Sequence, residues 1–369
     1  MTPAGWTEKE DSQVMKRWHW VFPLLLAGFL FALGGGHFLR VLLHSPDRWH
    51  FIRAVKISYA FGTLWLPLLL AMGGGMAFFN WRRAGRDRRL AFASVGLLGG
   101  AFFCAGVGFY ATYVEPHLLI VRQVTIETPK VTAPVRILHM SDIQSARVGG
   151  YEARVFEQAR ALNPDLVLMT GDMLHPIAPA TFESEWPKLR DLIQTLSPPG
   201  GVWGILGSTD NWMENLPAEE HAGLNLLNLQ SGRVDLPQGR IALFGLSLGD
   251  SCWLEPGFPP VREWLDKAGA DDFEILLGHV PDFVLEARKL PLDLCLAGHT
   301  HGGQIRIPFL GPLVTFCHVP RSWARGFREV GQTRLNVSAG IGCEHAGGLP
   351  NIRVNCPPEM TLIELRPVR

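Results

Sequence analysis

Hydrophobic residues fall into two regimes along this chain. In the first third they run unbroken: Val21 to Leu39, Ile57 to Phe79 and Leu90 to Val114 each pass without a charged side chain. A bilayer-spanning helix needs roughly 20 such residues, so the pattern predicts three transmembrane helices, at about 21-39, 57-79 and 90-114. Trp and basic residues crowd the edges of these runs, which favours membrane spans over buried core helices. Farther on, the apolar runs shorten. Val135 to Met140, Asp165 to Thr170, Val202 to Leu206, Ile241 to Leu246, Phe273 to Leu277 and Leu292 to Ala297 have strand length, and Leu335 to Ser338 and Thr361 to Leu365 read as late strands. Between them Tyr151 to Leu162, Phe182 to Leu196 and Val261 to Ala268 carry helical spacing, with stops at Pro164, Pro198 and Pro199. Near-continuous hydrophobic strands imply sheets covered on both faces, the layout of α/β domains. The chain thus divides into a membrane anchor (1-114), an extended connector (115-134) and an α/β domain (135-369).

Charge sets the orientation of the anchor. The loop Trp81 to Arg89 holds the densest basic cluster near any span, and the positive-inside rule places it in the cytoplasm. The amino terminus, with Lys16 and Arg17, then lies inside as well, and three crossings put everything after Val114 on the outer face. Arg40, Arg48, Arg53 and Lys56 in the first loop weigh less than this cluster. The first span starts late and lacks a small-residue cleavage site, so it anchors rather than directs secretion. The expected location is the inner or cytoplasmic membrane, with the soluble domain on its periplasmic or extracytoplasmic side. The spans hold no Asp, Glu, Lys or Arg, which speaks against a transporter or channel.

The formal net charge of zero, with no basic tract beyond the membrane-proximal loop, argues against a nucleic-acid partner. Cys104 lies in the third span, and Cys252, Cys295, Cys317, Cys343 and Cys356 are scattered without a Cys-x-x-Cys spacing, so thiolate zinc is not expected.

Candidate chemistry sits where the strands end. Val135 to Met140 runs into Ser141-Asp142-Ile143-Gln144, and Asp165 to Thr170 into Gly171-Asp172. Val202 to Leu206 leads to Gly207-Ser208-Thr209-Asp210, Phe273 to Leu277 to Gly278-His279, and Leu292 to Ala297 to Gly298-His299-Thr300-His301-Gly302-Gly303-Gln304. In open α/β sheets ligands bind outside the carboxyl ends of the strands. Any one Asp could be a helix or turn cap, but five such ends together point to a shared metal site.

These motifs, in this order, resemble the calcineurin-like metallophosphoesterases, in the membrane-anchored branch whose last motif reads GHTHGGQ. The resemblance extends from about Val135 to Leu365. It implies a four-layer αββα sandwich and two divalent metal ions, with Mn, Fe or Zn suiting mixed carboxylate and imidazole ligands. Asp142 and His301 would hold one ion, His279 and His299 the other, with Asp172 bridging. Three positions depart from the family pattern. Gln144 stands where the family has a metal-binding His, Ser208 where it has a metal-binding Asn, and Thr209 where it has the His that protonates the leaving group. Asp210, which orients that His in the family, is retained.

The implied reaction is hydrolysis of a phosphodiester or pyrophosphate bond. Lipid-linked and envelope-precursor substrates suit an anchored site, and soluble phosphoesters fit nearly as well. A metal-binding pseudoenzyme with a scaffold or signalling role stays open at this point. Arg353, Arg325 and His345 are the leading substrate-binding candidates, because arginine matches phosphate geometry. Arg306, His318, Glu344 and His175 rank behind them, and Trp212 is expected to pack its loop. Oligomeric state cannot be read from the chain.

Overall fold

A computed structural model describes residues 48–217, 220–221, 223–312, 314–345, 348 and 351–368. The predicted span from Val21 to Leu39, and with it a third transmembrane helix, lies outside the described residues. Two compact units emerge, one formed by the chain up to Tyr113 with His345–Pro350, the other by Val114–Glu344 with Asn351–Arg369.

In the first unit two helices, Ile52–Arg83 and Arg88–His117, are long and apolar enough to cross a membrane. Asp87 starts the second by accepting a hydrogen bond from Arg89 N at 2.9 Å. Small residues line their contact: Gly74, Ala77, Ser94, Ala101 and Gly108 are buried, and Ser94 Oγ donates to Gly74 O at 2.9 Å. Close backbone approach over small side chains is how helices pack where lipid supplies no hydrophobic drive. Phe92, Val95 and Phe102 point outward, each at least 71% exposed, a surface suited to hydrocarbon.

The second unit is built on two six-stranded sheets. The first runs β1 (Ile120–Thr128), β14 (Glu359–Pro367), β2 (Val135–Met140), β3 (Leu166–Met169), β4 (Val202–Gly204), β5 (Leu224–Leu226). The second runs β12 (Gly326–Val330), β13 (Thr333–Val337), β9 (Leu294–Ala297), β8 (Asp272–Leu277), β7 (Gly239–Gly245), β6 (Gln230–Leu236). A short hairpin, β10 (Arg306–Ile307) with β11 (Gly311–Pro312), stands apart.

Alternation along the strands sorts the side chains into layers. On β2, Val135 and Ile137 face an inner core shared with Ile241, Leu243, Ile275 and Leu294 of the second sheet. Leu138 and Met140 face the opposite way, onto α1 (Gly150–Ala161) and α2 (Phe182–Gln194) through Phe156, Trp186 and Leu189. The outer face of the second sheet packs Phe244, Leu276 and Val337 against α3 (Pro259–Lys267) and α4 (Val284–Ala287). Each fully buried side chain of this size contributes about 1.5–3 kcal/mol. The layers are helix, sheet, sheet, helix.

Strands β2, β3 and β4 are parallel, as are β7, β8 and β9, so each set presents its carboxyl ends on one edge. The stretch expected to be a connector instead holds β1, which pairs in parallel with β14 from Ile120↔Glu359 to Thr128↔Pro367. Its polar, alternating sequence belongs to an edge strand, and its partner lies at the far end of the chain.

Glu359 locks this edge. Its fully buried carboxylate accepts from Arg122 Nε at 2.6 Å, Arg325 Nε at 2.7 Å and Ala339 N at 3.0 Å. Removing it strands two guanidinium groups and a buried amide. Glu359→Ala is expected to lower the stability of this unit by about 3–5 kcal/mol in denaturant titration of the full chain in detergent. A loss under about 1 kcal/mol, the range of an exposed ion pair, contradicts this role.

Candidate metal centre

The parallel strands deliver their polar ends to one place. Asp142 follows β2, Asp172 follows β3, His279 follows β8, and His299 and His301 follow β9. Asp142, Asp172 and His279 are buried, and each offers a ligand atom within 4.8 Å of the others. The His279 and His299 rings lie 5.2 Å apart at 70°, and His301 Nε2 is 3.6 Å from Asp142 Oδ1. The structure therefore brings together the five residues that the strand ends nominate.

Backbone conformation aims them. Asp142, Gln144, Asp172, His299 and His301 all have positive φ, between 40° and 66°. Such non-glycine conformations cost roughly 1–3 kcal/mol each and persist where surrounding structure enforces them. Two glycines allow the close approach: a Cβ on Gly207 would strike the Asp172 carboxylate, and one on Gly298 would strike Ser141 and Asp142.

Hydrogen bonds hold the carboxylates. His299 N donates to both Asp142 oxygens at 2.9 and 3.1 Å. Asp172 accepts from Thr209 N at 2.8 Å, from the Ser208 hydroxyl at 3.1 and 3.2 Å, and from the Thr209 hydroxyl at 3.3 Å. Gln144 Nε2 reaches the same carboxylate at 3.4 Å. All three positions that depart from the family pattern thus turn toward Asp172.

Asp210, expected at a catalytic position, supports the Asp172 loop. It is fully buried, and its oxygens accept from Asp172 N at 2.6 Å, Met173 N at 2.8 Å and Gly207 N at 2.9 Å. With its acceptors taken by backbone, it fixes the loop that carries Asp172.

The electrostatics are those of crowded buried carboxylates. Burial pushes the Asp142 carboxyl up to about 7, against the pull of His279 and with the added repulsion of Asp172. Burial and the Asp172 charge raise Asp210 to about 6. Burial alone would raise Asp172 too, but the His279 imidazolium beside it holds it below the usual range. His279 is correspondingly raised to about 10, because Asp172 outweighs its desolvation. A proton and a divalent cation compete for this imidazole.

A shell of residues that the sequence did not nominate supports the site. Thr170 O accepts from His279 Nδ1 at 2.7 Å, which fixes the tautomer and leaves Nε2 as the ligand atom. The Thr170 hydroxyl donates to Ser141 Oγ at 2.6 Å and lies 2.9 Å from His139 Nε2. His139 in turn is 2.9 Å from Asn336 Nδ2 on β13, joining the two sheets beneath the site. Burial lowers His139 to about 3, so it is neutral. The sequence signal was present, since Thr170 and Ser141 immediately precede the two aspartate turns, but nothing in it revealed the cross-sheet pairing.

A metal fits this donor set. His279 Nε2 lies 3.3 Å from Asp172 Oδ2. Two ligands aimed at one ion have this relation. Gln144 Oε1 is a buried acceptor without a hydrogen-bond donor, which a cation would satisfy. Carboxylate and imidazole together suit Mn, Fe or Zn.

Arg325 and Arg353 lie beside the His301–Gly302 turn, and each is engaged by groups of its own chain. Arg353 is fully buried and donates to the carbonyls of Cys356 at 2.9 Å, Ala339 at 2.8 Å and Gly340 at 3.1 Å, and also to that of Gly342. It ties backbone together and has no free face for substrate. Arg325 is held by Glu359. His318 pairs with Asp282 at 2.8 Å, and His175 lies 3.8 Å from Glu344. His345 is buried and belongs to the unit of the apolar helices. Trp212 stacks on Phe182 and meets Trp186 edge-on, each at 5.1 Å.

Two facing sheets carry a carboxylate and imidazole cluster at their strand ends. Residues 135–303 match the calcineurin-like phosphoesterase family. The chain is similar to the uncharacterized metallophosphoesterase YkuE of Bacillus subtilis, 29% identical over 290 residues, covering 73% of this chain and 94% of that protein. It is 28% identical over 244 residues to phosphodiesterase YaeI of Escherichia coli, covering 63% and 83%. It is 23% identical over 312 residues to UDP-2,3-diacylglucosamine pyrophosphatase LpxG of Chlamydia trachomatis, covering 69% and 91%.

If the Thr170 hydroxyl supports the site through Ser141 and His139, Thr170→Val, which keeps the carbonyl that His279 meets, should weaken Mn²⁺ binding by about 10-fold in calorimetric titration while the chain keeps its fold. Asp172→Asn serves as the reference for lost binding. Unchanged affinity in Thr170→Val contradicts the supporting role.

Proposed function

We propose that this protein is a membrane-anchored, metal-dependent phosphoesterase that hydrolyses a phosphodiester or pyrophosphate bond. The observation that carries the reading is the convergence of Asp142, Asp172 and His279, whose ligand atoms lie within 4.8 Å of one another. Asp142 and His301 would hold one ion and His279 and His299 a second, with Asp172 between them and Gln144 Oε1 and the Ser208 hydroxyl as supplementary oxygen donors. Two divalent ions in such a site lower the pKa of water and neutralise charge at phosphorus.

The chain's own residues set the limits of the reaction. Asp210 and the Thr209 amide hold Asp172 in place, and Thr170 orients His279. Position 209 offers a hydroxyl, which does not titrate near neutrality and cannot protonate a leaving group as an imidazole does. A leaving group that is already a weak base suffers least from this, which favours a pyrophosphate linkage or an activated diester over a simple monoester. The names of two relatives, a phosphodiesterase and a diacylglucosamine pyrophosphatase, support the same classes. The two apolar helices and the basic cluster at Arg82 to Arg89 support an anchor with the domain on the outer membrane face. That placement suits a lipid-linked or envelope-precursor substrate.

The full chain in detergent with Mn²⁺ is expected to cleave a nucleotide-linked diacyl lipid pyrophosphate and an aryl phosphodiester faster than an aryl phosphomonoester. His299→Ala should remove the activity. Equal turnover by His299→Ala, or a preference for the monoester, overturns the assignment. Metal binding with no turnover on any of the three establishes the scaffold reading, which the hydroxyl and amide donors crowding Asp172 favour.

If the departures limit the rate, Gln144→His, Ser208→Asn and Thr209→His together should raise turnover on the phosphodiester by about 10²-fold, within the range of general acid catalysis. A fall or no change shows that the present residues are matched to their substrate.

A further inference from the structure

The hairpin that leaves the histidine motif carries a surface the hydrolytic site does not use. Strands β10 and β11 pair Arg306↔Pro312 and Ile307↔Gly311, and Leu310 N closes the turn on Ile307 O at 3.2 Å. The base is fixed to the domain: Arg306 N donates to Val354 O, and Val354 N to Gln304 O, both at 2.9 Å. The tip is apolar and in solvent, with Leu310 74% and Phe309 108% exposed, the latter more than in an extended chain.

The backbone makes this choice of residue conspicuous. Phe309 has φ 67°, a conformation in which Gly or Asn is favoured and a bulky side chain is strained. A phenyl ring at a turn position that prefers Gly, fully exposed among the described residues, is placed to meet something outside its own domain.

Charge identifies that partner. From Arg306 to Arg328 the sequence has four arginines and neither Asp nor Glu. Arg325 is engaged by Glu359, whereas Arg306, Arg321 and Arg328 form no salt bridge among the described residues. Arg306 Nη1 donates to Gly302 O at 2.8 Å and Arg328 Nη2 to Arg325 O at 2.7 Å, so backbone carbonyls hold these two guanidinium groups with no carboxylate beside them among the described residues. Burial with the Arg306 charge depresses Arg328. An apolar tip with a basic surround is the pattern of a segment that enters the headgroup region of an anionic bilayer.

We propose that the hairpin Arg306–Pro312 is a membrane-contact element, inserting Phe309 and Leu310 into an anionic phospholipid surface while the surrounding arginines bind headgroups. The proposal rests on the membrane-anchored reading above. It brings lipid within reach of a segment that begins five residues after His301.

The test places a benzophenone-bearing phenylalanine analogue at position 309 of the full chain, reconstituted in vesicles of phosphatidylcholine with phosphatidylglycerol. A second preparation carries the analogue at Trp253, an aromatic 71% exposed and flanked by Asp250 and Glu255. Irradiation followed by mass spectrometry is expected to add phospholipid at 309 in several-fold higher yield than at 253. The yield should fall in phosphatidylcholine alone and with added salt. Phe309→Asn with Leu310→Asn suits the turn and keeps the domain folded, and it should release the hairpin from lipid, read as a several-fold rise in backbone hydrogen exchange protection lost across 306–312. Equal yields at 309 and 253, no lipid adduct at 309, or a crosslink to a second copy each overturn the proposal. Cofractionation of the chain with vesicles reports the anchor and turnover reports the enzyme, so a failure of either is distinguishable from a failure of the hairpin.

Discussion

Two carboxylates buried side by side, Asp142 and Asp172, are the constraint around which this domain is organised. Like charges in a dry interior repel and lose hydration, so they persist only with compensation. Compensation arrives from every strand end nearby. His279 supplies a positive charge to Asp172, the His299 and Thr209 amides donate to the two carboxylates, and Asp210 secures the loop from behind. Glycines at 207 and 298 exist where a side chain would collide with these groups. Nothing in the packing of the cores requires such an arrangement. The arrangement is that of a candidate metal-binding group.

The two-sheet architecture makes that cluster possible. Neither sheet alone contains the site: Asp142 and Asp172 come from the first, His279, His299 and His301 from the second. The inner core of Ile137, Leu243, Ile275 and their neighbours sets the spacing between sheets, and the His139 contact with Asn336 ties them beneath the metal ligands. Rigid strands on both sides serve a reaction in which small displacements of ligands matter.

Much of this was legible in the chain, for physical reasons. Continuous apolar strands ending in Asp, His and Gly mark buried parallel strands with ligands at their tips, and each motif is local in sequence. What the sequence could not convey was pairing at long range. The polar stretch from Ile120 to Thr128 has no apolar run to reveal a strand, and its partner β14 is more than 230 residues away, as the 237-residue separation of Arg122 and Glu359 records. Arg353 has the composition of a surface phosphate binder, yet the carbonyls around it come from turns that only the folded chain assembles. Asp210 was assigned from a motif, and the three backbone amides it accepts from come from turns that only the folded chain brings together.

Anomalous diffraction from crystals of the full chain grown with Mn²⁺ tests the central claim most directly. The account predicts manganese peaks bounded by Asp142, Asp172 and His279, with His299 and His301 as further ligands, and their loss in Asp172→Asn. A structure at full manganese saturation with no peak among these residues would contradict it.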